Sequence, residues 1–175
     1  MDTKKISDSL TENQKYIENI YSTSVNSDIV LRNFNLHINN KTYSAFIFYI
    51  DGMVLSQAVN DFLLKPLMLK NKSNTENADF ESIKDYVFTS LIPQNSIKIS
   101  ESFEDLFLKV NSGFTALFID SVPYFFCIEA KGFEKRSVEK PSNEIVLRGS
   151  QEAFVENIRT NTSMIRRLIN NENLI

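Results

Sequence analysis

The chain is poor in the residues that most often carry catalysis, metal binding and covalent cross-linking. Its 175 residues include one histidine, one cysteine, four glycines, four prolines and no tryptophan. A single cysteine excludes an internal disulfide, and one cysteine with one histidine cannot supply a zinc cluster. The few glycines form no phosphate-binding loop. We therefore predict that the chain is not an enzyme and has no cofactor and no metal centre.

Long apolar runs and a dominant charge sign are also missing. The apolar stretches fall far short of the ~20 residues of a membrane-spanning helix, and the N-terminus lacks the apolar core of a secretory signal. A formal net charge of -3 with dispersed lysines and arginines argues against a nucleic-acid partner. With 42% hydrophobic residues, we expect a soluble, folded protein of the reducing cytoplasm.

Apolar residues alternate between helical and strand spacing along the chain. The pattern predicts a helix from Leu10, a hairpin turning at Asn39, a helix that ends at Pro66 and another from about Asp79 to Leu91. A strand, a helix and a second hairpin are then predicted before a terminal helix. This indicates a mixed α/β fold of two small lobes with short mixed sheets, joined by a linker and closed by the long C-terminal helix. Residues 1–93 are predicted to form the N-terminal subdomain and residues 94–175 the C-terminal one.

The terminal helix is predicted to run from about Ser150, its N-cap, to Asn170. Its apolar positions are expected to pack on the core: Phe154, Ile158, Ile165 and Ile169. Asn157 and Asn161 are four residues apart and share another face, where their amides would bond a loop backbone or another subunit.

Two further groups of charged residues are candidates for a site. Arginines and glutamates alternate around Pro141 and suit an ion-pair lattice that holds this loop against the terminal helix, although a solvated loop fits equally: Arg136, Glu139, Glu144 and Arg148. Three acidic residues follow or end predicted strands and would line a cleft between the lobes, or else act as caps and solvated groups: Asp51, Asp120 and Glu129. Their carboxylates leave a Mg or Ca site without histidine or cysteine open as an alternative.

Two segments carry motifs that resemble one family. The motifs are Tyr49 to Gly52, Lys65 to Met68, Arg136 to Glu139, Pro141, Arg148-Gly149, Glu156-Asn157, Asn161 and Arg166-Arg167. Together they resemble the soluble N-terminal region of A subunits of the GerA family of spore germination receptors, with SpoVAF-like proteins as relatives. The resemblance covers roughly residues 28–175.

The resemblance implies a role in signal transduction and receptor assembly. It implies a full-length protein in the spore inner membrane, with this domain on the cytoplasmic, spore-core side and a membrane region after it. Its partners would be the B and C subunits and other A subunits in an oligomeric ion channel. The interface or network candidates are Arg136, Glu139, Glu144, Arg148, Glu156, Asn157, Asn161, Arg166 and Arg167. The residues leave one alternative open, a small-molecule or ion-binding module with a cleft between two lobes, and a nutrient germinant as its ligand.

Overall fold

The described part of the chain alternates helices with antiparallel strands. The computed structural model describes residues 4–38, 41–68, 80–88, 97–132 and 154–174. The helices are α1 (Leu10–Ile20), α2 (Ser56–Val59), α3 (Lys65–Met68), α4 (Phe80–Tyr86), α5 (Phe103–Asn111) and α6 (Ile158–Ile169). The strands are β1 (Ile29–Ile38), β2 (Lys41–Ile50), β3 (Ile97–Ser100), β4 (Phe114–Ile119) and β5 (Phe125–Glu129).

The five strands form one antiparallel sheet in the order β1-β2-β4-β5-β3. The prediction of a mixed α/β fold is confirmed. The two short mixed sheets of separate lobes are replaced by one sheet, because β2 pairs with β4 and Ala45 lies opposite Ile119. Phe46, Ile47 and Phe48 follow one another in β2 and are all buried, which requires a central strand with both faces covered. The proposed boundary at residues 93 and 94 lies outside the described ranges and stays a prediction.

Both faces of the sheet are covered by helices. On one face the sheet packs against the helices after β2 and against α4, with a core that includes Leu36, Ile47, Val59, Leu63, Leu67, Ile83, Val87, Leu117 and Phe126. On the other face it packs against α1 and α5, with a core that includes Ile17, Tyr21, Phe46, Phe48, Phe103, Leu106, Val110, Phe118 and Phe125. Phe46 and Phe118 stack with ring centroids 4.6 Å apart. A further helix therefore has to dock at an end of the sheet.

The helix after β2 continues past the point where its proline was expected to end it. A π-helical segment, Asn60–Leu64, joins α2 to α3, and the Lys65 N–H bonds the Asn60 carbonyl. Pro66 follows as the second residue of α3. Because proline lacks an N–H donor, its place at the junction between two helical geometries removes no bond from the middle of an α-helix.

The terminal helix is shorter than predicted and faces the other way. α6 begins after the cap Asn157 and has 12 residues, about 18 Å at 1.5 Å per residue; Ser150 lies outside the described residues. Ile158 is 77% exposed and Ile169 is 53% exposed, whereas Ser163, Met164 and Arg166 are buried. The prediction that this apolar stripe packs on the core is wrong for Phe154, Ile158 and Ile169, which are exposed, while Ile165 is half-buried. Both apolar faces of the sheet are already covered by other helices. Over the described ranges no helix has the length and apolarity to cross a membrane.

Candidate functional site: the joint between the terminal helix and the sheet

Two carboxylates lie side by side at one end of the sheet. Ile29 at the start of β1 is opposite Ile50 at the end of β2, and the next backbone bond joins the Asp51 N–H to the Asp28 carbonyl at 2.8 Å. The Asp51 side chain also accepts the Gly52 N–H at 3.0 Å. The pairing of β1 with β2 thus places the side chains of Asp28 and Asp51 on adjacent strand ends.

α6 meets this end of the sheet with residues at i, i+4 and i+7. Arg159, Ser163 and Arg166 share one face of the helix at this spacing. Gly52 has a φ of +81°, and a Cβ there would stand 3.4 Å from Arg159 Cγ and 3.5 Å from Ser163 Cβ. Glycine therefore suits both the backbone conformation and the close approach of α6. We call this contact the α6 joint, formed by Asn26, Asp28, Asp51, Gly52, Arg159, Ser163 and Arg166.

The inner contact of the α6 joint is centred on Arg166, which is only 6% exposed. Its Nε donates to Asp28 Oδ2 at 3.1 Å, its Nη2 to Asn26 Oδ1 at 3.1 Å, and its Nη1 to the Leu174 carbonyl at 3.0 Å. Asn26 Nδ2 donates to the same carbonyl at 3.2 Å. The buried guanidinium is therefore paired and hydrogen-bonded, and it ties the backbone after α6 to the start of β1.

The outer contact of the α6 joint is the ion pair between Arg159 and Asp51. The side chains of these two residues are 50% and 31% exposed, so water and salt screen their attraction. Burial, and then the negative charge of Asp51, raises the pKa of the Tyr49 hydroxyl. The two contacts of the joint thus have the same chemistry and opposite exposure to solvent.

The two asparagines predicted for one helix face are used at the start of α6 itself. Asn157 caps the helix, and its Oδ1 accepts the Arg159 N–H at 2.9 Å. Asn161 accepts the Val155 N–H at 2.8 Å and donates to the Val155 carbonyl at 2.6 Å. The sequence left two kinds of partner open for Asn161, a loop backbone or another subunit. In the structure its amide bonds the loop backbone at Val155. The same arrangement starts α1, where Asn13 makes both bonds to the Ser7 backbone at 2.9 and 2.7 Å.

The other candidates are spread over the chain. Glu156 and Arg167 are exposed on the segment that carries α6, while Arg136, Glu139, Glu144 and Arg148 lie outside the described residues, so their lattice stays a prediction. The structure does not bring the three acidic cleft candidates together. The Asp120 N–H bonds the Ser44 carbonyl, at the end of the sheet opposite Asp51, and Glu129 is 3.8 Å from the Lys131 ammonium. Across the described ranges, no three side chains of the metal-binding types converge.

The sequence interpretation missed Asn26 and Asp28, and it attributed to Arg159 only a part in the basic end of the terminal helix. A signal for them was present, because acidic residues before β1 and after β2 must meet at one end of a hairpin whose strands are paired. Arg159, Ser163 and Arg166 form a matching polar stripe, but the spacing of the isoleucines, which lie roughly 100° away around α6, predicts burial of the isoleucine stripe instead.

Two cavities flank α6 beside the joint. One of about 340 Å³ lies between α6 and the α1–β1 connection; its lining includes Val25, Asp28, Ile158, Ile165 and Arg166. The other, of about 270 Å³, lies on the side of Asp51 and is lined also by Ser56, Gln57 and Thr160. The cavity beside Arg166 places apolar side chains next to charged ones, whereas polar side chains make up most of the lining of the cavity beside Asp51.

The histidine and the cysteine are both engaged elsewhere. His37 Nδ1 is 3.0 Å from the Thr42 hydroxyl across the first hairpin. Cys127 is buried in β5, and burial is the main cause that raises the pKa of its thiol to about 12. A thiol that stays protonated at neutral pH is a weak nucleophile.

Comparison with known proteins gives one consistent result. Residues 15–175 match the family model described as Bacillus/Clostridium GerA spore germination protein. Among curated proteins of Bacillus subtilis (strain 168), spore germination protein KA is 28% identical over 85% of this chain and 26% of its own length. The uncharacterized membrane protein YfkQ is 30% identical over 93% of the chain and 30% of its own length. The chain thus spans less than a third of the length of these relatives.

A solved structure shares the fold. The crystal structure of the N-terminal domain of the A subunit of the Bacillus megaterium spore germinant receptor GerK3 matches with a TM-score of 0.69 and 28% identity. The match covers 98% of this chain and 59% of that one.

Proposed function

Because the chain belongs to the GerA family of spore germination proteins, as its motifs predicted, and has the fold of an A-subunit N-terminal domain, we propose that it couples signals and supports assembly in a spore germinant receptor. The full-length protein would lie in the spore inner membrane, with this domain on the cytoplasmic side facing the spore core. Its partners would be the B and C subunits and other A subunits.

The observation that carries the coupling role is the α6 joint. Arg166 and Asn26 both donate to the Leu174 carbonyl, so the backbone that follows α6 is held at the start of β1. In this proposal a membrane region follows, and a displacement of the sheet end would reach it through Arg166. α6 by itself is too short to carry the displacement to the membrane region, since its axis spans only about 18 Å.

The outward side of α6 supports the assembly role. Ile158 is 77% exposed and Leu168 is 71% exposed, and large apolar side chains on one short helix are common at protein–protein contacts. We propose that these residues contact a neighbouring subunit of the receptor.

The domain is proposed to act through contacts rather than catalysis. Its matched relatives include proteins named for spore germination and sporulation. The Cys127 thiol is buried with a raised pKa, and His37 contacts a threonine on the exposed side of a hairpin.

Spores that carry the full-length receptor test this function. Ile158→Ser with Leu168→Ser removes the exposed apolar groups of α6, and Leu108→Ser on α5 is a matched control because Leu108 is 57% exposed. We expect the 175-residue chain to keep its melting temperature in both cases, while the α6 variant lowers germination or receptor level in spores. Normal germination and normal receptor level in the α6 variant would remove the assembly role.

The two cavities beside α6 support a second candidate, the small-molecule or ion-binding module. Thermal shift of the chain with amino acids, sugars and inorganic ions tests it, since a ligand that binds the folded state raises the melting temperature with its concentration. A nutrient germinant that leaves the melting temperature unchanged at millimolar concentration would argue against this candidate.

A further inference from the structure

The contacts that hold α6 differ between its two ends. Arg159, near the start of the helix, forms the exposed ion pair with Asp51, whereas Arg166, near its end, is buried and bonds three acceptors. An exposed ion pair contributes little to stability, but breaking a buried one leaves a charge without a partner. The two ends of α6 are therefore held with different strength.

Few apolar contacts reinforce these polar ones. Met164 is the one hydrophobic side chain of α6 that is buried, and Ile158 and Ile169 point to solvent. Separating the first turns of α6 from β2 therefore exposes little apolar surface. Local openings of low free energy are typical of segments with few buried apolar contacts.

The start of α6 remains capped when it separates from the sheet. The bonds of Asn157 and Asn161 lie within residues 155–161, so they move with the helix. Gly52 adds no side chain that would hold Ser163 in place. The helix can thus leave the sheet as a formed helix, without the cost of unfolding its first turn.

We propose that α6 is a lever that pivots at Arg166 and is latched at Arg159. When the Asp51–Arg159 pair breaks, the first two turns swing away from β2, while the Arg166 contacts keep the last turn and Leu174 in place. A partner group that competes for Arg159 or for Asp51 opens the latch. This inference rests on the proposed function for its biological role, because it identifies the outer pair as the point where another subunit acts.

Amide hydrogen exchange of the 175-residue chain, followed by NMR, tests the lever. Asp51→Asn removes the latch, and Arg159→Gln does so while leaving the bonds of Asp51 to Gly52 and Ser56 intact. A short helix that has left the sheet is only marginally stable, so its backbone bonds open more often there than in the docked state. At low ionic strength we therefore expect the Ser163 amide to exchange about twofold to fivefold faster in both variants, with the Ile169 amide unchanged. At about 1 M salt the difference from the parent should vanish, because the ion pair is screened there.

Asp61→Asn is the matched control, because it removes the exposed ion pair between Asp61 and Lys65 in the helices after β2. Exchange in α6 should stay at the parental rate in this variant. The lever is refuted if Ser163 and Ile169 accelerate together in the latch variants, or if neither amide changes. The exchange experiment and the spore assay of Ile158 and Leu168 alter different residues, so the result of one does not depend on the result of the other. A failure of the lever and a failure of the proposed function are therefore distinguishable.

Discussion

The substitution Arg166→Met removes the inner contact of the α6 joint and leaves the outer ion pair in place. Methionine keeps much of the length of the arginine stem but removes the charge and all three hydrogen bonds. The side chain of Asp28 is 17% exposed and would lose its partner, while Asn26 still bonds the Leu174 carbonyl. Breaking a buried ion pair costs about 3 kcal/mol at the lower end of the measured range, and we expect that loss in the free energy of unfolding.

Arg159→Met is the comparison, because it removes an ion pair of the same kind at an exposed position. Solvent screening limits its expected cost to about 0.2–1 kcal/mol. For a chain of this size, about 2–4 °C of melting temperature corresponds to 1 kcal/mol, so Arg166→Met should lower the melting temperature by about 6–12 °C. Thermal unfolding by circular dichroism and urea titration measure both variants.

The pairing itself is tested by Asp28→Asn in the Arg166→Met background. If the loss comes from a buried carboxylate without a partner, the double variant should be more stable than the sum of the two single losses predicts. Arg166→Lys keeps the charge but has one nitrogen where arginine has three, so it should recover only part of the stability. Equal melting temperatures for Arg166→Met and Arg159→Met would refute the division into a strong inner contact and a weak outer one.

Three further predictions concern other parts of the fold. Burial raises the pKa of the Cys127 thiol from 9.0 to about 12, so between these two values the thiol ionises in the unfolded chain but not in the folded one. The free energy of unfolding should therefore fall by less than about 1 kcal/mol between about pH 8 and about pH 9.5, and Cys127→Ala should remove this pH dependence in urea titrations. Asn161→Ala and Asn13→Ala each remove two hydrogen bonds to the backbone before a helix, so each should lower the free energy of unfolding by about 1–2 kcal/mol. A loss of stability in the Asn13 variant alone would mean that the Asn161 bonds do not stabilise the start of α6. Gly113→Ala should lower the melting temperature more than Gly52→Ala, because a Cβ at Gly113 would lie 2.7 Å from a backbone oxygen, against 3.4 Å from a side-chain carbon at Gly52; equal losses would show that the positive φ alone decides.

Local patterns predicted most of the elements and not their arrangement. The alternation from Ile29 to Ile50 and the helical spacing from Leu10 identified β1, β2 and α1, because these signals depend on near neighbours in the sequence. The pairing of β2 with β4 joins residues far apart in the chain, and the spacing of apolar residues within one strand does not specify its partner. The run of buried residues from Phe46 to Phe48 was the available sign of a central strand.

The site was predicted in part, for a related reason. Arg166 and Asn161 were named from the family motifs, and the structure places both of them at α6, one in its joint with the sheet and one at its start. The orientation of α6 was mispredicted because an apolar stripe normally faces the core, and that rule holds only while an apolar surface is left uncovered. Asp28 was missed because its partner Arg166 lies on an element that docks from the far end of the sequence.

The strand order has a consequence for how the chain is made on the ribosome. β4 and β5 lie between β2 and β3, although both of these flanking strands are synthesised first. At about 5–20 residues per second, the nascent chain spends several seconds with a finished β2 whose second edge has no neighbour. A product that stops before Phe114 pairs β2 with β1 but leaves the second edge of β2 without a partner, and such an open edge invites aggregation. Termination before Phe114 should therefore yield chains that chaperones and proteases remove. Termination after β5 still allows all five strands of the described sheet to pair.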